Sequence, residues 1–353
     1  MTSLTETAYL TRKAVNIGAI VVAILIVVRI TFGLVVGLWK TLFPPPPPAA
    51  TVAFGKLPYP SAQNSVATPS GNITYTVETA GGSFPTLPKN LKVYFMPRPG
   101  PSFGSFEKMK TQAVKMGFTD IPRKVSSTAW RFTDPTAVLR TLDIDEISGN
   151  FHLTYNYLSD QSLFSEKNFS TVEALTAKAR SFFDGQGLFS VELKAAEASI
   201  TYFKLDSGAL VSTTSLSNAD AVGVSFNRVP IEKNPIVSPD PKQGLVSILF
   251  SGAADAKKQI LEVRFFYTAI DLENFATYPS TSVESAFTML KSGKALYASA
   301  PNSISQNISI RKIYLGYLDP YPPQSYLQPV IVFSDEKGFS AYVPAINSEW
   351  LHE

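Results

Sequence analysis

The chain has no cysteine and only two histidines among its 353 residues. Without cysteine it can form no disulfide, no thiolate metal site and no thiol nucleophile. Zinc sites normally draw on several His or Cys ligands, and His152 and His352 are too few to supply them. We therefore expect no metal centre and no cofactor, and we interpret His152 as a packed or surface residue of a strand.

Charge is also scarce, since Asp, Glu, Lys and Arg together make up 17% of the sequence. The formal net charge of +3 arises within residues 1–40, where four basic residues stand against one acidic residue. The remainder of the chain is neutral. A neutral chain gives no electrostatic case for binding nucleic acid, so we expect no such partner.

The sequence lacks the short motifs that mark several common enzyme classes. It contains no GxSxG, HExxH, P-loop or GxGxxG pattern. A Ser/Lys hydrolase leaves little local signature, so that alternative stays open. The sequence predicts no catalytic residue.

One long apolar stretch covers residues 14–39, and five consecutive prolines follow it at Pro44–Pro48. A stretch of this length predicts a transmembrane helix. Arg12 and Lys13 precede it, so the positive-inside rule places the N-terminus in the cytoplasm. A cleaved signal peptide would have a shorter apolar region and a small-x-small cleavage site. We therefore expect a single-pass cell-membrane protein with an extracytoplasmic C-terminal domain.

Three residues of this stretch could pair membrane helices. Arg29 is its one charge, and its side chain either snorkels to the membrane interface or pairs with a partner helix. Gly33 and Gly37 form a GxxxG pair that lets two helices approach closely. The partners expected through this segment are the lipid bilayer and a second copy of the chain.

Three amphipathic helices are predicted farther along, at about 105–116, 171–184 and 282–292. Each has one apolar face and ends at a glycine, and the last two begin with capping boxes. Strand-like segments between them form predicted hairpins: 138–145 with 150–157, 198–205 with 210–214, and 245–250 with 260–267. The sequence thus predicts an α+β fold, with one N-terminal transmembrane helix and then repeated helix-plus-antiparallel-sheet units.

These patterns suggest six segments. They are a cytoplasmic tail at 1–13, the transmembrane helix at 14–39, a Pro-rich linker with edge strands at 40–90, and three α/β units at 91–160, 161–235 and 236–353. An exported domain of this size without disulfides suggests a prokaryotic source.

Short strings in the chain resemble known families. The hairpin Leu139–Phe151, with Asp145, Gly149 and the preceding helix at 105–116, resembles the end of a PepSY domain. The C-terminal strings at 314–320, 328–333 and 341–346 resemble the last domain of YycH/YycI-type proteins. Those proteins are single-span exterior regulators built of PepSY-like α/β units.

From Val52 onward, the chain also resembles uncharacterised single-span proteins of candidate-phylum bacteria. The PepSY and YycH/YycI resemblances imply a PepSY-like α/β fold and an inhibitory or sensory binding role without catalysis. The third resemblance implies a lineage and no function.

Tyrosines cluster near the C-terminus. Within this cluster Tyr317, Asp319, Tyr321 and Gln328 combine ring faces with two orienting polar groups. We predict that they line a groove for an extended peptide or a glycan. The alternative is that the tyrosines cap the core, while Asp319 and the neighbouring prolines simply form a turn.

Asp143, Asp145 and Glu146 form an acidic cluster at a predicted hairpin. Asp143 and Asp145 share one side of a strand, so a cation site is conceivable. A solvated face or an Asx-turn is the simpler interpretation, and no spacing matches an EF-hand loop. We therefore predict no metal site.

The leading function hypothesis is a membrane-anchored extracytoplasmic binding or regulatory module, without catalysis, that contacts an envelope protein or a peptide. One alternative is a structural component of an envelope or secretion assembly. Another is an envelope hydrolase of the Ser/Lys type. A concave pocket with convergent polar groups favours the first, a flat exposed apolar patch the second, and a serine beside a buried lysine the third.

Overall fold

A computed structural model describes residues 18, 21–22, 24–33, 35, 49–61, 73–79, 81–160, 162–240, 243–299, 307–336 and 338–352. The chain divides into two compact units, Met1–Ala49 and Ala50–Glu353.

In the first unit the described residues 18, 21–22, 24–33 and 35 are helical, and we call this helix α1. No helix within the described ranges is long and apolar enough to cross a membrane. This finding overturns the predicted transmembrane helix over 14–39, and with it the single-pass topology and the cell-membrane location. The other residues of that stretch, the tail at 1–13 and the prolines at 44–48 lie outside the described residues.

Arg29 and Gly33 lie on α1 and are exposed. No atom would lie within 4 Å of a Cβ added at Gly33. Gly37 lies outside the described residues. The pairing predicted for these three residues required a membrane-spanning helix, and none of the described helices is long and apolar enough to be one.

The second unit contains the helices α2 (Ser105–Lys115), α3 (Val172–Gly185), α4 (Val191–Ala195) and α5 (Val283–Lys291). Its strands are β1 (Leu57–Pro58), β2 (Thr74–Val77), β3 (Asn90–Phe95), β4 (Arg123–Lys124), β5 (Ala129–Thr133), β6 (Arg140–Asp145), β7 (Phe151–Tyr155), β8 (Ala198–Asp206), β9 (Ala209–Thr213), β10 (Ala221–Phe226), β11 (Ile236–Val237), β12 (Val246–Ser251), β13 (Ile260–Phe265), β14 (Asp271–Pro279), β15 (Tyr297–Ser299), β16 (Asn307–Ile310), β17 (Lys312–Leu318), β18 (Tyr326–Ser334), β19 (Ser340–Pro344) and β20 (Leu351–His352).

The helix starts follow from capping side chains. The side chain of Thr171 accepts a hydrogen bond from the Ala174 N–H at the start of α3, and that of Ser282 accepts from the Ser285 N–H at the start of α5. Each satisfies an N–H that has no partner within its own helix. The predicted capping boxes placed both starts one residue too early.

The larger sheet has nine antiparallel strands in the order β4-β5-β6-β7-β13-β12-β10-β8-β9. One cross-strand row is apolar and packs in a single core with α2 and α3: Phe132, Leu142, Leu153, Val263, Ile248 and Val224. Because side chains alternate between faces, the next row lies on the opposite face, and it is polar: Arg131, Asp143, His152, Arg264, Ser247 and Ser225. We call this second side of the sheet the polar face.

The second sheet has the order β11-β17-β18-β19-β15, and β3 joins it through β18 and also pairs with β14. Helix α5 packs on this sheet, since Val283, Ala286 and Leu290 share a core with Ile331 and Phe333. Two short parallel pairs, β1 with β20 and β2 with β16, complete the unit.

The predicted chain of repeated helix-plus-sheet units is wrong. The described residues form a mixed α/β structure with large antiparallel sheets and five helices. Strands from 91–160, 161–235 and 236–353 all enter the nine-stranded sheet. Periodicity in the sequence indicates that a segment forms a strand. It does not indicate which distant strand will pair with that segment, as the pairing of β3 with β14 illustrates. The three predicted hairpins are confirmed as β6–β7, β8–β9 and β12–β13, because the partners in a hairpin are adjacent in sequence.

Candidate functional site

A cleft opens where the chain passes between the two sheets. Residues 227–235 lead from β10 to β11, and residues 266–270 lead from β13 to β14. These crossings, β3 and the first turn of α4 enclose about 590 Å³, within the roughly 300–1,000 Å³ of small-ligand sites. We call this space the cleft, and its apolar wall consists of Val191, Val229, Pro230, Ile231, Ile270 and Leu272.

The apolar wall of the cleft is open to solvent. Val191 is 87% exposed, Leu272 53% and Val229 41%. Val191 is the first residue of the short helix α4, and Leu272 lies where β14 bulges away from β3. Single exposed apolar residues are ordinary, but a concave group of them is typical of a binding site.

Charged side chains stand at the rim of the cleft. The Nζ of Lys92 lies 2.5 Å from Oε1 of Glu232, and this hydrogen bond raises the pKa of Lys92. Glu232 projects from a tight turn that is closed by two backbone hydrogen bonds between Ile231 and Asn234. The central residues Glu232 and Lys233 have φ of 50° and 73°. Left-handed backbone costs a non-glycine residue about 1–3 kcal/mol, so the turn holds Glu232 at the cleft at the expense of stability.

Lys233→Gly is therefore expected to stabilise the protein. Glycine adopts positive φ without strain, and the exposed Lys233 side chain is not needed for the turn. We expect a gain of about 1 kcal/mol, which is a rise in melting temperature of about 2 °C. Lys108→Gly, at an exposed position within α2, is the matched control and should lower stability by about 1 kcal/mol. A fall in melting temperature for both variants would show that the turn is not strained.

Arg228 anchors an ion network at the floor of the cleft. Its Nε and Nη2 donate to the two carboxylate oxygens of Glu192 at 2.9 and 3.0 Å, and its Nη1 donates to Asp319 at 3.3 Å. The ring centroid of Tyr267 lies 4.8 Å from the guanidinium carbon. Glu192 and Tyr267 line the cleft, and Asp319 follows β17. The network therefore ties α4 and the nine-stranded sheet to the second sheet.

The two carboxylates share the guanidinium unequally. Burial acts to raise the pKa of Glu192, but the hydrogen bonds from Arg228 and Tyr267 outweigh it, so the pKa is lowered. Burial raises the pKa of Asp319, because one longer hydrogen bond from Arg228 does not offset the loss of water. Burial thus favours the neutral form of Asp319, and Glu192 is the carboxylate that the network presents to the cleft. The lining of the cleft then holds two acids, Glu192 and Glu232, and the cation Lys92.

A hydrogen-bonded chain runs along the cleft wall. Ser190 Oγ donates to the Tyr267 hydroxyl at 3.3 Å, and that hydroxyl donates to Glu192 at 2.9 Å. Burial raises the pKa of Tyr267, so its hydroxyl remains protonated. The serine of the cleft thus bonds to a tyrosine, and the lysine of the cleft bonds to a glutamate. This arrangement does not supply the Ser–Lys dyad of a hydrolase.

Two of the four residues predicted to bind a ligand belong to the core. Tyr317 is 2% exposed and Gln328 is 1% exposed. The Tyr317 hydroxyl donates to the Lys92 carbonyl at 3.2 Å, and the Gln328 amide donates to the Pro58 carbonyl at 2.8 Å. A ligand could reach either side chain only if the core opened.

The other two predicted residues, Asp319 and Tyr321, have different surroundings. Asp319 is the buried partner of Arg228 beneath the cleft. Tyr321 is half-buried in a separate hollow, and its ring centroid lies 4.5 Å from that of Phe266. The structure therefore places one of the four residues beside the cleft and gives the four no common surface.

The acidic cluster is engaged in local contacts. Both oxygens of Asp143 accept from Arg131 at 2.6 Å. Asp145 accepts hydrogen bonds from the backbone of its own turn, and Glu146 accepts from the Trp130 indole at 2.8 Å. Within the described ranges, no group of three or more His, Asp or Glu residues is arranged to hold a metal ion.

Sequence reasoning missed the residues that build the cleft. Val191 and Glu192 come from α4, whereas Arg228 and Glu232 come from the connection 227–235, and no local pattern links these two segments. One signal was present in the sequence: apolar residues occur in the segments that connect strands, at 229–231 and 269–270, where polar residues are usual.

No protein-family model matches the sequence, and no curated protein matches it. The PepSY-like and YycH/YycI-like units expected from short strings therefore have no support. The shared nine-stranded sheet also contradicts a series of such units. A fold alone does not imply an activity, so the geometry of the cleft is what bears on the function.

Proposed function

We propose that the protein is a non-catalytic binding module whose cleft holds a segment of a partner protein or peptide. The segment carries two or three apolar side chains and one basic side chain. The observation that carries this proposal is the concave group of exposed apolar residues next to the carboxylates of Glu192 and Glu232.

The apolar wall supplies the attraction. Val191, Val229 and Leu272 lose contact with water when an apolar side chain covers them, at roughly 25 cal/mol for each Å² buried. The strained turn and the ion network hold the wall in place before the partner arrives. A preformed site loses less conformational entropy on binding.

Charge selects the partner. Lys92 is already paired with Glu232, and Arg228 is shared by Glu192 and Asp319. The lining of the cleft holds the acids Glu192 and Glu232 and the cation Lys92. A basic side chain that enters the cleft balances this net negative charge, whereas an acidic one adds to it. Water is partly excluded from Glu192, so this discrimination is stronger than at an open surface.

The proposal is tested by selecting binders from a random short-peptide library displayed on phage, with the full chain as bait. We expect the selected peptides to be enriched in apolar residues next to Arg or Lys. The selection is repeated on Glu232→Gln, an exposed position where the change should leave the fold intact. This variant removes one negative charge from the rim, so the apolar preference should persist and the basic preference should weaken.

Two outcomes of the selection would contradict the proposal. One is a set of peptides no different from the unselected library. The other is enrichment in Asp or Glu, which would show that the cleft does not act as a negatively charged site.

A further inference from the structure

A second hollow lies beside Asp143 and His152 on the polar face of the nine-stranded sheet. It encloses about 460 Å³ between β6, β7 and the loop that follows β17. That volume also lies within the roughly 300–1,000 Å³ of small-ligand sites. We call it the polar-face hollow. One side of it is aromatic and proline-rich, and the other is polar.

The aromatic side is formed by Tyr321, Phe266, Pro322 and Pro323. The rings of Tyr321 and Phe266 are tilted by 50° with centroids 4.5 Å apart. The Tyr321 N–H donates to the Ser61 carbonyl at 3.3 Å, and Ser61 Oγ donates to the Pro322 carbonyl at 2.9 Å. The Tyr321 hydroxyl has no hydrogen-bond partner among the described residues. Backbone hydrogen bonds to Ser61 thus fix the position of this wall. The Tyr321 hydroxyl is left available to a ligand.

The polar side carries further unused hydrogen-bonding groups. His152 Nε2 donates to Glu262 Oε1 at 2.6 Å. Burial acts to raise the pKa of Glu262, but His152 and Arg264 outweigh it and lower the pKa to about 2, so this carboxylate accepts the proton of Nε2. The other ring nitrogen, Nδ1, has no partner in the described part of the chain. The Asn150 side-chain oxygen accepts from the Tyr267 N–H at 3.0 Å, and its NH₂ group likewise has no described partner.

The two carboxylates of the hollow are already engaged. Arg131 neutralises Asp143, and the backbone of its own turn hydrogen-bonds Asp145. Each carboxylate oxygen can still accept a further hydrogen bond. The hollow therefore offers donors, acceptors and an aromatic face.

We propose that the polar-face hollow binds a neutral sugar residue of an oligosaccharide. A pyranose ring has an apolar CH face and a rim of hydroxyls that both donate and accept. The CH face stacks on Tyr321, and the hydroxyls donate to Asp143 and to His152 Nδ1 and accept from the Asn150 amide. This site is independent of the cleft and needs no reaction.

The test is a titration of the full chain with cellotetraose, maltotetraose and chitotriose, followed by ligand-observed NMR and calorimetry. At least one of these sugars should bind in the millimolar range or tighter. Tyr321→Ala should weaken that binding about tenfold or more, because stacking is lost. Tyr321→Phe keeps the ring and should weaken it only about two- to threefold.

Control variants separate binding from folding. Phe103→Ala removes an exposed aromatic side chain outside the hollow and should leave sugar binding unchanged. Asp143→Asn provides a second test if Tyr321→Ala lowers the melting temperature, and it should weaken binding about two- to tenfold. Val191→Asp changes a residue of the cleft and should leave sugar binding unchanged, because the cleft and the polar-face hollow are separate sites. Failure of all three sugars to bind, or equal binding by the wild type, Tyr321→Ala and Asp143→Asn, would overturn the proposal.

Discussion

Arg228→Met is expected to lower the free energy of unfolding by about 3–5 kcal/mol. Methionine keeps an apolar stem but removes the cation that Glu192 and Asp319 share. Both carboxylates then remain in a site with little water, and they must take up protons or force the structure open. Either outcome costs folding free energy. Chemical denaturation of the full chain at neutral pH measures the loss.

The matched control for this prediction is Asp319→Asn. It keeps the two-pronged contact between Arg228 and Glu192 and removes the carboxylate whose pKa is raised by burial. We expect it to cost about 1 kcal/mol or less. Equal effects of the two variants would mean that the network does not hold the floor of the cleft.

Tyr317→Ala is expected to destabilise the protein by about 3–5 kcal/mol, as for other large-to-small changes in a core. The ring of Tyr317 packs edge-on against Tyr94 with centroids 5.5 Å apart, and it shares a buried cluster with Ile236. Tyr94 and Ile236 line the cleft, so the lost ring also removes support from behind the cleft wall. Thermal and chemical denaturation both measure the effect.

Tyr317→Phe separates the packing of this residue from its hydrogen bond. Phenylalanine keeps the ring and loses the bond to the Lys92 carbonyl, at a cost of about 1 kcal/mol. If Tyr317→Ala were as mild as Tyr317→Phe, the side chain would not be part of the core, and the predicted ligand-binding role of Tyr317 would regain support.

Local patterns predicted the local structure well. Amphipathic periodicity and glycine stops predicted α2, α3 and α5, and alternation predicted three hairpins. The signals were sufficient because helix faces and hairpin turns are determined by residues close together in sequence. The helix α4 was not predicted, since five residues are too few to show a period.

The arrangement of these elements, and the candidate site, could not be predicted from one sequence. The pairing of β3 with β14 joins segments that have no shared pattern. The contact of Arg228 with Asp319 depends on the same long-range assembly. Tyr317 and Gln328 looked like ligand-binding residues because polar and aromatic side chains are common in binding sites. A tyrosine or glutamine in a central strand has the same local pattern whether it faces a ligand or a core.

The central claim is that the cleft binds an apolar segment with a basic side chain. The most direct measurement is calorimetric titration of one selected peptide into the wild type, Val191→Ser and Val138→Ser. Both valines are highly exposed, but only Val191 lines the cleft, and serine removes its apolar surface without adding a charge. We predict that Val191→Ser weakens binding about tenfold and that Val138→Ser leaves it unchanged. Equal affinity of all three proteins for the peptide would contradict the account.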